Sequence, residues 1–301
     1  SRGGMFKETV FFGLQYILKR WLEKPLTYVE IYDAEALYGA HLGPGLLNMK
    51  GWYHIRNDHG GNWPLRIRAV PEGSIIPTGN VLMTVENTCP QCYWLTNFME
   101  TLLVQVWYPS TVATISREMK KVIYAALEKS GDTNLIDFKL HDFGCRGVSS
   151  MESALIGGMA HLINFKGTDT VPGLFGASKY YGAGMTGFSI PAAEHSTITS
   201  WGRDGEYEAF KNMLVQYPTG LVAVVSDSFD IYTACSVLWG SRLRDKVLSR
   251  QGTVVVRPDS GVPHEVVPKV LDILGKKFGF STNNKFYKVL DPHIRVIQGD
   301  G

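Results

Sequence analysis

The sequence predicts an α/β protein in which a (β/α) barrel-like domain follows a smaller α+β domain. After about residue 137, six apolar, β-branched runs each stop at a polar cluster, and successive clusters lie 26 to 41 residues apart. A strand, a helix and two loops consume about that many residues. Residues 222–225 and 254–256 are short, continuous apolar runs, typical of strands buried on both faces. Parallel βα units are therefore the favoured interpretation.

The six polar clusters are the candidate functional elements. They are His141-Asp142-Phe143-Gly144, Gly167-Thr168-Asp169-Thr170, Ala193-Glu194-His195-Ser196, Ser226-Asp227-Ser228, Arg257-Pro258-Asp259-Ser260-Gly261 and Gly299-Asp300-Gly301. In a (β/α) barrel the loops that follow the strands meet at one end, where such enzymes hold their catalytic groups. One shared site is therefore expected. Because Gly, Asp, Ser and Pro are also ordinary turn and helix-cap residues, a structural role is the alternative for any single cluster.

Two domains are expected from the change in pattern along the chain. Residues 1–130 are predicted to form the α+β domain and residues 131–301 the βα-repeat domain. A complete barrel has eight βα units, whereas six are visible, and the chain begins without an initiator methionine. We therefore expect a fragment of a longer protein that lacks an N-terminal segment and the C-terminal part.

The first domain is expected to mix helices with short strands. Its predicted elements are a helix over residues 5–22, antiparallel strands near 67–70 and 81–85, and helices over 93–107 and 111–128. Pro109 is expected to separate the last two helices, because proline removes a helix hydrogen bond.

Composition excludes several classes of function. The formal charge is +2 and no run of Lys or Arg could follow a nucleic-acid backbone, so nucleic-acid binding is not expected. No apolar stretch reaches the roughly 18 residues that span a bilayer. The four cysteines do not form a disulfide framework, which fits a cytoplasmic protein. Cys89 and Cys92 have redox or zinc spacing, but no second Cys pair or His pair is evident to complement them.

Charged residues near the strand ends are suited to a sugar phosphate with Mg²⁺. Arg257 offers a cation for phosphate, and Asp259 and Asp300 offer carboxylates for ribose hydroxyls or Mg²⁺. Arg146 precedes Ser149-x-x-Glu152, which predicts a capping box at a helix start. That arrangement is either a phosphate cradle or a capped helix beside a surface arginine. No Walker or dinucleotide-binding glycine motif is present.

The same clusters resemble the nicotinamide phosphoribosyltransferases, members of the type II phosphoribosyltransferase family. The likeness extends from about Glu8 to the end of the chain and includes Asn80-Val81-Leu82 and Tyr93-Trp94-Leu95-Thr96. It implies transfer of a phosphoribosyl group from 5-phosphoribosyl 1-pyrophosphate to nicotinamide, giving nicotinamide mononucleotide and pyrophosphate in NAD salvage. It further implies Mg²⁺, ATP as a co-substrate and a homodimer whose sites take residues from both subunits.

By this resemblance, two residues would select the nicotinamide ring. Phe143 would stack on the pyridine, and a tyrosine of the partner subunit would cover its other face. Asp169 would accept a hydrogen bond from the carboxamide and repel nicotinate by about 4 kcal/mol at ~4 Å and an effective dielectric of about 20. The alternatives are a core aromatic residue and a turn aspartate.

The resemblance also assigns the remaining site residues. His195 would be phosphorylated by ATP with Glu194 or another acid orienting it, although a lone histidine is more often structural. The other assignments are Arg146 and Arg257 to phosphate and ring, Asp259, Gly299 and Asp300 to ribose, Asp227 to pyrophosphate and Mg²⁺, and His141, Ile190 and Arg295 to a tunnel leading from the site. His195, Asp259 and Arg257 form the expected catalytic set. Barrel packing is the alternative for the tunnel residues.

Two rival functions remain open at this stage. A nicotinate phosphoribosyltransferase would share the architecture but would need a site that tolerates a carboxylate, which Asp169 opposes. A non-catalytic interaction protein on the same fold would be expected to have lost at least one of the six residues Phe143, Asp169, His195, Arg257, Asp259 and Asp300, all of which are present.

Overall fold

A computed structural model describes residues 4–299 of the chain, which divide into two compact units. Within this range, the first unit comprises residues 4–125 and 133–188, and the second comprises 126–132 and 189–299. The division into two domains after residue 130, which we predict from the change in sequence pattern, stays a prediction. Among the described residues, no helix combines the length and apolarity needed to cross a membrane.

The first unit combines helices with short strands. Its helices are α1 (Leu14–Ile17), α2 (Tyr28–Leu42), α3 (Met49–Asp58), α4 (Leu95–Leu103), α5 (Trp107–Ser130, whose last residues belong to the second unit), α6 (Met151–His161) and α7 (Val171–Tyr181), with a π-helical turn at Leu18–Leu22 and 3-10 turns at Pro90–Cys92, Val104–Val106, Thr133–Phe138 and Gly144–Gly147. Its strands are β1 (Glu8–Val10), β2 (Leu65–Ala69), β3 (Ile75–Pro77), β4 (Met83–Asn87), β5 (His141–Asp142) and β6 (Gly167–Thr168).

The prediction of one helix over residues 5–22 is wrong in its first part. There β1 pairs antiparallel with β3, and α1 begins only after Gly13, which has a φ of 102°. The Glu72 carboxylate accepts hydrogen bonds from the backbone N–H groups of Gly13 (2.7 Å) and Gln15 (2.5 Å). These bonds cap the short helix from outside, and a periodicity argument has no access to such non-local partners.

The antiparallel strands that we predict near residues 67–70 and 81–85 are confirmed. In β2 and β4, Leu65 lies opposite Asn87 and Ala69 opposite Met83. Pro109, however, does not separate two helices. It is the third residue of α5, in the first helical turn, where a backbone N–H has no intrahelical acceptor and proline is tolerated.

The second unit has a parallel sheet with helices beside it. Its elements are α8 (His195–Thr199), α9 (Glu206–Gln216), β7 (Thr219–Val225), α10 (Ile231–Thr233), a π-helical segment (Ala234–Arg242), α11 (Arg244–Leu248), β8 (Gln251–Arg257), α12 (Pro263–Phe278), β9 (Phe280–Thr282), β10 (Lys288–Leu290) and β11 (Ile294–Val296). The sheet has the order β11-β8-β7, and both pairings are parallel. The predicted buried strands are thus confirmed.

The core of the second unit explains why these strands form where they do. Val222, Val224, Val254 and Val256 are fully buried, because helices rather than water cover the sheet. The ring of Trp239 stacks on Phe210 with the centroids 4.5 Å apart, and its Nε1 donates to Ser226 Oγ at 3.0 Å, directly after β7. This contact anchors the polar end of β7.

One hairpin in the second unit was not predicted. Strands β9 and β10 pair antiparallel between α12 and β11. They account for the long interval before the last polar cluster, which exceeds the length of a simple βα unit.

Parallel neighbours also occur at single residues. In the first unit, Gly167 of β6 bridges to Phe188, and in the second, Ala192 bridges to Ala223 of β7. The α/β class is therefore confirmed, with parallel strands arranged in sequence order within each unit. Closure into a barrel stays a prediction.

Candidate active site

The first unit places Phe143 and Asp169 beside His141. Strands β5 and β6 are parallel with His141 opposite Gly167, so their polar ends lie next to each other. Nε2 of His141 is 3.1 Å from Oδ1 of Asp169, and the rings of His141 and Phe143 have centroids 4.8 Å apart with a tilt of 41°. Three predicted site residues therefore form one cluster, which we call the His141 cluster.

Asp142 has a structural role in this cluster. Its Oδ1 accepts the N–H of Gly144 at 2.7 Å, and its carbonyl accepts the N–H of Asp169 at 2.9 Å. These bonds fix the two loops that follow β5 and β6. The side chains of Asp169 and Phe143 remain partly exposed, at 39% and 38%, and are accessible to a ligand.

A cavity of about 360 Å³ adjoins the His141 cluster within the first unit. It is lined by residues of β5, α5 and α6, among them Tyr108, Phe143, Ser153 and His161. Burial lowers the pKa of His161, so the neutral ring is favoured, and its Nε2 lies 3.0 Å from the Gly167 carbonyl. The cavity thus offers aromatic walls with a few polar groups, the usual character of a small-molecule site.

The predicted capping box near Arg146 is not formed. The cap of α6 is Ser150, one residue later than expected, and its Oγ accepts the N–H of Ser153 at 3.0 Å. The Glu152 carboxylate instead accepts the hydroxyl of Tyr16 at 2.5 Å. Arg146 lies exposed in the 3-10 turn before this helix.

The second unit brings His195, Asp227 and Asp259 together. His195 opens α8, and each aspartate lies two residues beyond a strand, β7 or β8. Nε2 of His195 is 3.0 Å from Oδ1 of Asp227, and its Nδ1 is 3.7 Å from Oδ2 of Asp259. The histidine side chain is 42% exposed while Asp227 is 4% exposed. We call these three residues, together with the neighbouring Arg257, the His195 cluster.

Asp227 is held in place by three donors. Its Oδ2 accepts the backbone N–H of Asp259 at 2.9 Å and the hydroxyl of Ser260 at 2.5 Å, and its Oδ1 faces His195. Burial raises the pKa of Asp227, but these hydrogen bonds outweigh burial and hold the pKa below its ordinary value. The carboxylate is therefore ionised and rigid at neutral pH.

Arg257 and Gly299 flank Asp259. Arg257 ends β8, its side chain is 6% exposed, and its Nε lies 3.6 Å from Oδ1 of Asp259. A Cβ added at Gly299 would collide with the Asp259 carboxylate, so a larger residue there would force that side chain to move. The predicted site residue Asp300 lies outside the described residues.

The remaining tunnel residues are partly buried in the second unit. Nη1 of Arg295 donates to the carbonyls of Leu290, Asp291 and Ile294 at 3.0, 2.6 and 2.7 Å. Burial lowers the pKa of Arg295 from its ordinary value. Ile190 is half-buried. Arg295 is therefore anchored to the backbone between the end of β10 and the start of β11. The role of Arg295 and Ile190 in a tunnel stays a prediction.

Two residues to which the sequence analysis assigns no individual role take part in the electrostatics of the second unit. Ser260 binds Asp227, as described above. Glu206, at the start of α9, is 6% exposed, and burial with repulsion from Asp230 and Asp227 raises its pKa to about 7 despite the opposing effect of Arg203. The sequence indicates only a glutamate near the start of a helix. It does not indicate that the side chain of Glu206 is buried.

The expectation that Cys89 and Cys92 lack a complementary His pair is wrong. In the first unit, His54 and His59 approach both cysteines, and one donor atom from each of the four residues lies within 4.8 Å of the others. Neither unit shows a disulfide among the described cysteines.

The two clusters offer complementary chemistry. The His141 cluster presents an aromatic face and a carboxylate beside a cavity, which suits a planar ring carrying a hydrogen-bond donor. The His195 cluster presents an oriented imidazole, two carboxylates and an arginine, which suits hydroxyls and phosphates. Because the clusters lie in different units, the expected single shared site stays a prediction.

Comparison with known proteins gives a consistent family. Residues 138–301 match the sequence model of the nicotinate phosphoribosyltransferase (NAPRTase) family, and residues 1–67 match that of the N-terminal domain of nicotinamide phosphoribosyltransferase.

Two individual relatives are named nicotinamide phosphoribosyltransferase. Over 305 aligned residues, the chain is 52% identical to a nicotinamide phosphoribosyltransferase of Xanthomonas campestris pv. campestris, covering all of the chain and 64% of that protein. It is 33% identical to a nicotinamide phosphoribosyltransferase of Acinetobacter baylyi, covering 97% of the chain and 63% of that protein. The chain thus spans less than two thirds of the length of these relatives.

A solved structure supports the fold. The chain is similar to human nicotinic acid phosphoribosyltransferase with a TM-score of 0.53 at 18% identity, covering 90% of the chain and 58% of the human protein. At this identity the likeness concerns the fold alone, which is an α/β phosphoribosyltransferase fold.

Proposed function

The chain belongs to the nicotinate phosphoribosyltransferase family, and from this we propose that the protein containing it makes nicotinamide mononucleotide and pyrophosphate from nicotinamide and 5-phosphoribosyl 1-pyrophosphate. The observation that carries this proposal is the 52% identity, over the whole chain, to a relative named nicotinamide phosphoribosyltransferase. The reaction is a step of NAD salvage. Cytoplasmic location and closure of the fold into a barrel are parts of the same proposal.

The His141 cluster would bind the nicotinamide ring. Phe143 is 38% exposed, and a pyridine would stack on its ring, because the pyridinium product benefits from an aromatic neighbour. Asp169 would accept a hydrogen bond from the carboxamide, and its negative charge would oppose the carboxylate of nicotinate. His141, 3.1 Å from Asp169, would orient that carboxylate. The matched family and the human relative are named for nicotinate, not nicotinamide. The proposed preference for nicotinamide therefore rests on Asp169.

The buried arginine and the aspartates of the second unit would bind the phosphoribosyl group. Asp259 suits ribose hydroxyls, and Arg257 suits phosphate. Gly299 leaves room for Asp259, and Asp300 would add a second carboxylate at the ribose. Arg146 would contribute a cation for phosphate.

Bond formation requires no general base at the ring. The pyridine nitrogen is already a nucleophile with a free lone pair, and it would attack the anomeric carbon as pyrophosphate departs. The protein's contribution is to position the two reactants and to stabilise the charge that develops on the leaving group. Arg257 is the described cation of the His195 cluster that is suited to the second role.

His195 would accept the γ-phosphoryl group of ATP, with the P–O bond to the departing ADP breaking as the N–P bond forms. If Nε2–H donates to Asp227, the lone pair lies on Nδ1, which becomes the nucleophile. Phosphohistidine would add about two negative charges beside Asp259. ATP use could in this way favour product formation.

The residues present also fit a bound Mg²⁺. This ion takes oxygen ligands and is usually held by one or two carboxylates with substrate phosphates and water. Asp227 and Asp259 supply such oxygens. When bound, Mg²⁺ would neutralise negative charge on the pyrophosphate group.

A homodimer is part of the proposal. The exposed fractions of Tyr93, Phe98 and Trp107 in the first unit are 77%, 43% and 63%, which is unusual for large aromatic side chains. A second copy of the chain would cover such residues. Sedimentation of the full-length protein over a range of concentrations measures this directly, and a monomer at micromolar concentration would contradict it.

The proposal is tested by synthesis of nicotinamide mononucleotide by the full-length protein, with and without ATP. Wild type should form product without ATP and faster with it. Asp259→Asn should lower both rates by at least about 100-fold, since it removes a charged partner of the ribose. His195→Gln should remove the stimulation by ATP, and the matched control His264→Gln, on the exposed face of α12, should behave as wild type. Absence of turnover in wild type would instead support a non-catalytic role.

A further inference from the structure

We propose that His54, His59, Cys89 and Cys92 form a structural zinc site in the first unit. Neither the phosphoribosyl-transfer chemistry nor the comparisons assign any role to these residues. Their donor atoms, two imidazole nitrogens and two sulfurs, lie within 4.8 Å of one another. Zn²⁺ prefers this set of four ligands.

The geometry is close to that of a tetrahedral site. With zinc–sulfur bonds of about 2.3 Å and zinc–nitrogen bonds of about 2.0 Å, the donors of a tetrahedron lie about 3.3 to 3.8 Å apart. Nε2 of His54 is 3.3 Å from Sγ of Cys89. The rings of His54 and His59 are nearly perpendicular, at 87°, with centroids 5.1 Å apart. Small rotations of the side chains are therefore sufficient to close the four donors around one ion.

A carboxylate orients the first histidine. Oδ2 of Asp58 lies 2.6 Å from Nδ1 of His54, one helical turn away in α3. This bond keeps the proton on Nδ1 and leaves the lone pair of Nε2 directed towards Cys89. Ligand histidines in zinc sites usually have a partner of this kind on the other ring nitrogen.

The second histidine has a buried nitrogen that needs a partner. Nε2 of His59 is inaccessible to water and has no hydrogen-bond partner among residues 4–299. Burying such a polar atom without a partner costs free energy. His59 is the C-cap of α3, and Gly60 and Gly61, with φ of 63° and 84°, turn the chain immediately after it. The loop is thus bent at the position where the histidine joins the cysteines.

The cysteines are held on a tight turn. The 3-10 turn Pro90–Cys92 begins directly after Cys89, and the N–H of Cys92 donates to the Cys89 carbonyl at 3.0 Å. Cys92 is fully buried. Two cysteines separated by two residues can both bind one ion from such a turn. The site would join the end of α3 to the segment that follows β4.

A redox pair is the rival explanation, because the same cysteine spacing occurs in disulfide oxidoreductases. Such a pair does not require two histidines whose nitrogens both lie within 4.8 Å of both sulfurs, nor an aspartate that fixes the tautomer of one of them. A zinc site accounts for all five side chains, four as ligands and Asp58 as the partner of His54.

The test is the zinc content of the full-length protein, purified with a reducing agent and without chelators. Wild type should carry about one zinc per chain. Cys89→Ser and His54→Gln should lose it. Cys145→Ser and His264→Gln, which change the same residue types elsewhere, should keep it. Asp58→Asn leaves all four ligands in place and should weaken zinc binding about 10- to 100-fold.

A second measurement remains informative even where a variant fails to fold. Wild type stripped of metal and given Co²⁺ should show the thiolate charge-transfer band and the intense visible bands of tetrahedral cobalt. Wild type with neither zinc nor this spectrum would overturn the proposal. Zinc retained by folded Cys89→Ser, or a Cys89–Cys92 disulfide in the freshly purified wild type, would overturn it as well.

Discussion

Substitution of Asp227 by asparagine tests the orientation of His195. In wild type, Oδ2 of Asp227 accepts two hydrogen bonds, from the Asp259 N–H and the Ser260 hydroxyl, whereas Oδ1 faces Nε2 of His195 at 3.0 Å. Asparagine has one carbonyl oxygen, which the backbone N–H of Asp259 requires. Its NH₂ group then faces His195, and the imidazole can bind it only by accepting at Nε2.

The tautomer of His195 should therefore reverse. The proton moves to Nδ1, and the lone pair that would attack ATP is lost. Loss of a correctly held catalytic imidazole costs about 10²- to 10⁴-fold in rate. Removing a buried carboxylate that accepts such bonds should also lower the free energy of unfolding by about 1.5 to 3 kcal/mol at pH 7. Because the folded-state pKa of Asp227 is depressed, this stabilisation is present above its ordinary pKa and should vanish as the pH falls through the lower, folded-state value.

The assay is transfer of label from γ-labelled ATP to the full-length protein, measured as acid-labile, base-stable phosphohistidine. Asp230→Asn is the matched control, because Asp230 caps α10 and asparagine caps helices equally well. The control should be labelled at the wild-type rate. If folded Asp227→Asn is also labelled at that rate, the assignment of Nδ1 as nucleophile and Asp227 as its orienting partner is refuted.

Three further substitutions have defined outcomes. Asp169→Asn should reduce the preference for nicotinamide over nicotinate by roughly 30-fold. The Asp169 carboxylate is 39% exposed, so its repulsion of the nicotinate carboxylate should lie between about 1 kcal/mol, the value in water, and about 4 kcal/mol, the value in protein. An unchanged ratio of kcat/KM values would contradict this. Glu206→Gln should match wild type in urea unfolding at pH 4 and be more stable at pH 8 by up to about 3 kcal/mol. The reason is that a raised folded-state pKa, about 7, destabilises the wild type as pH rises from about 4.5 to about 7; a constant difference would argue against this burial. Gly299→Ala should push the Asp259 carboxylate aside and raise KM for 5-phosphoribosyl 1-pyrophosphate by at least about tenfold, with an unchanged KM as the contrary result.

The sequence predicts the interior strands well, because a strand buried on both faces has a continuous run of apolar residues. The valine runs of β7 and β8 can be read without knowledge of their partners, and the polar residues after them mark where each strand ends. The grouping of His195 with Asp227 and Asp259 follows from that pattern, since the ends of neighbouring parallel strands lie side by side.

Other features depend on partners far along the chain and leave no local record. The segment Glu8–Val10 has helical periodicity nearby, yet its strand partner is residues 75–77. His54 and Cys89 are 35 residues apart in sequence, and the intervening loop and strands bring them together. In the same way, the burial of Glu206 arises from packing that its neighbours in sequence do not reveal.

Local motifs can also overstate chemistry. Asp142 belongs to the repeating pattern of strand-end aspartates, but its side chain caps the backbone of Gly144. The Ser149-x-x-Glu152 motif matches a capping box, but Glu152 binds Tyr16 because that hydroxyl is delivered by a distant helix. In both positions the residue type is compatible with two roles, and tertiary contacts select one.

The most direct measurement is a competition between nicotinamide and nicotinate for the full-length wild-type protein, with limiting 5-phosphoribosyl 1-pyrophosphate. The ratio of the two mononucleotides formed reports the ratio of kcat/KM values. We expect an excess of nicotinamide mononucleotide of at least about tenfold, because Asp169 attracts the carboxamide and repels the carboxylate. An excess of nicotinate mononucleotide would contradict the proposed substrate while leaving the family and fold intact.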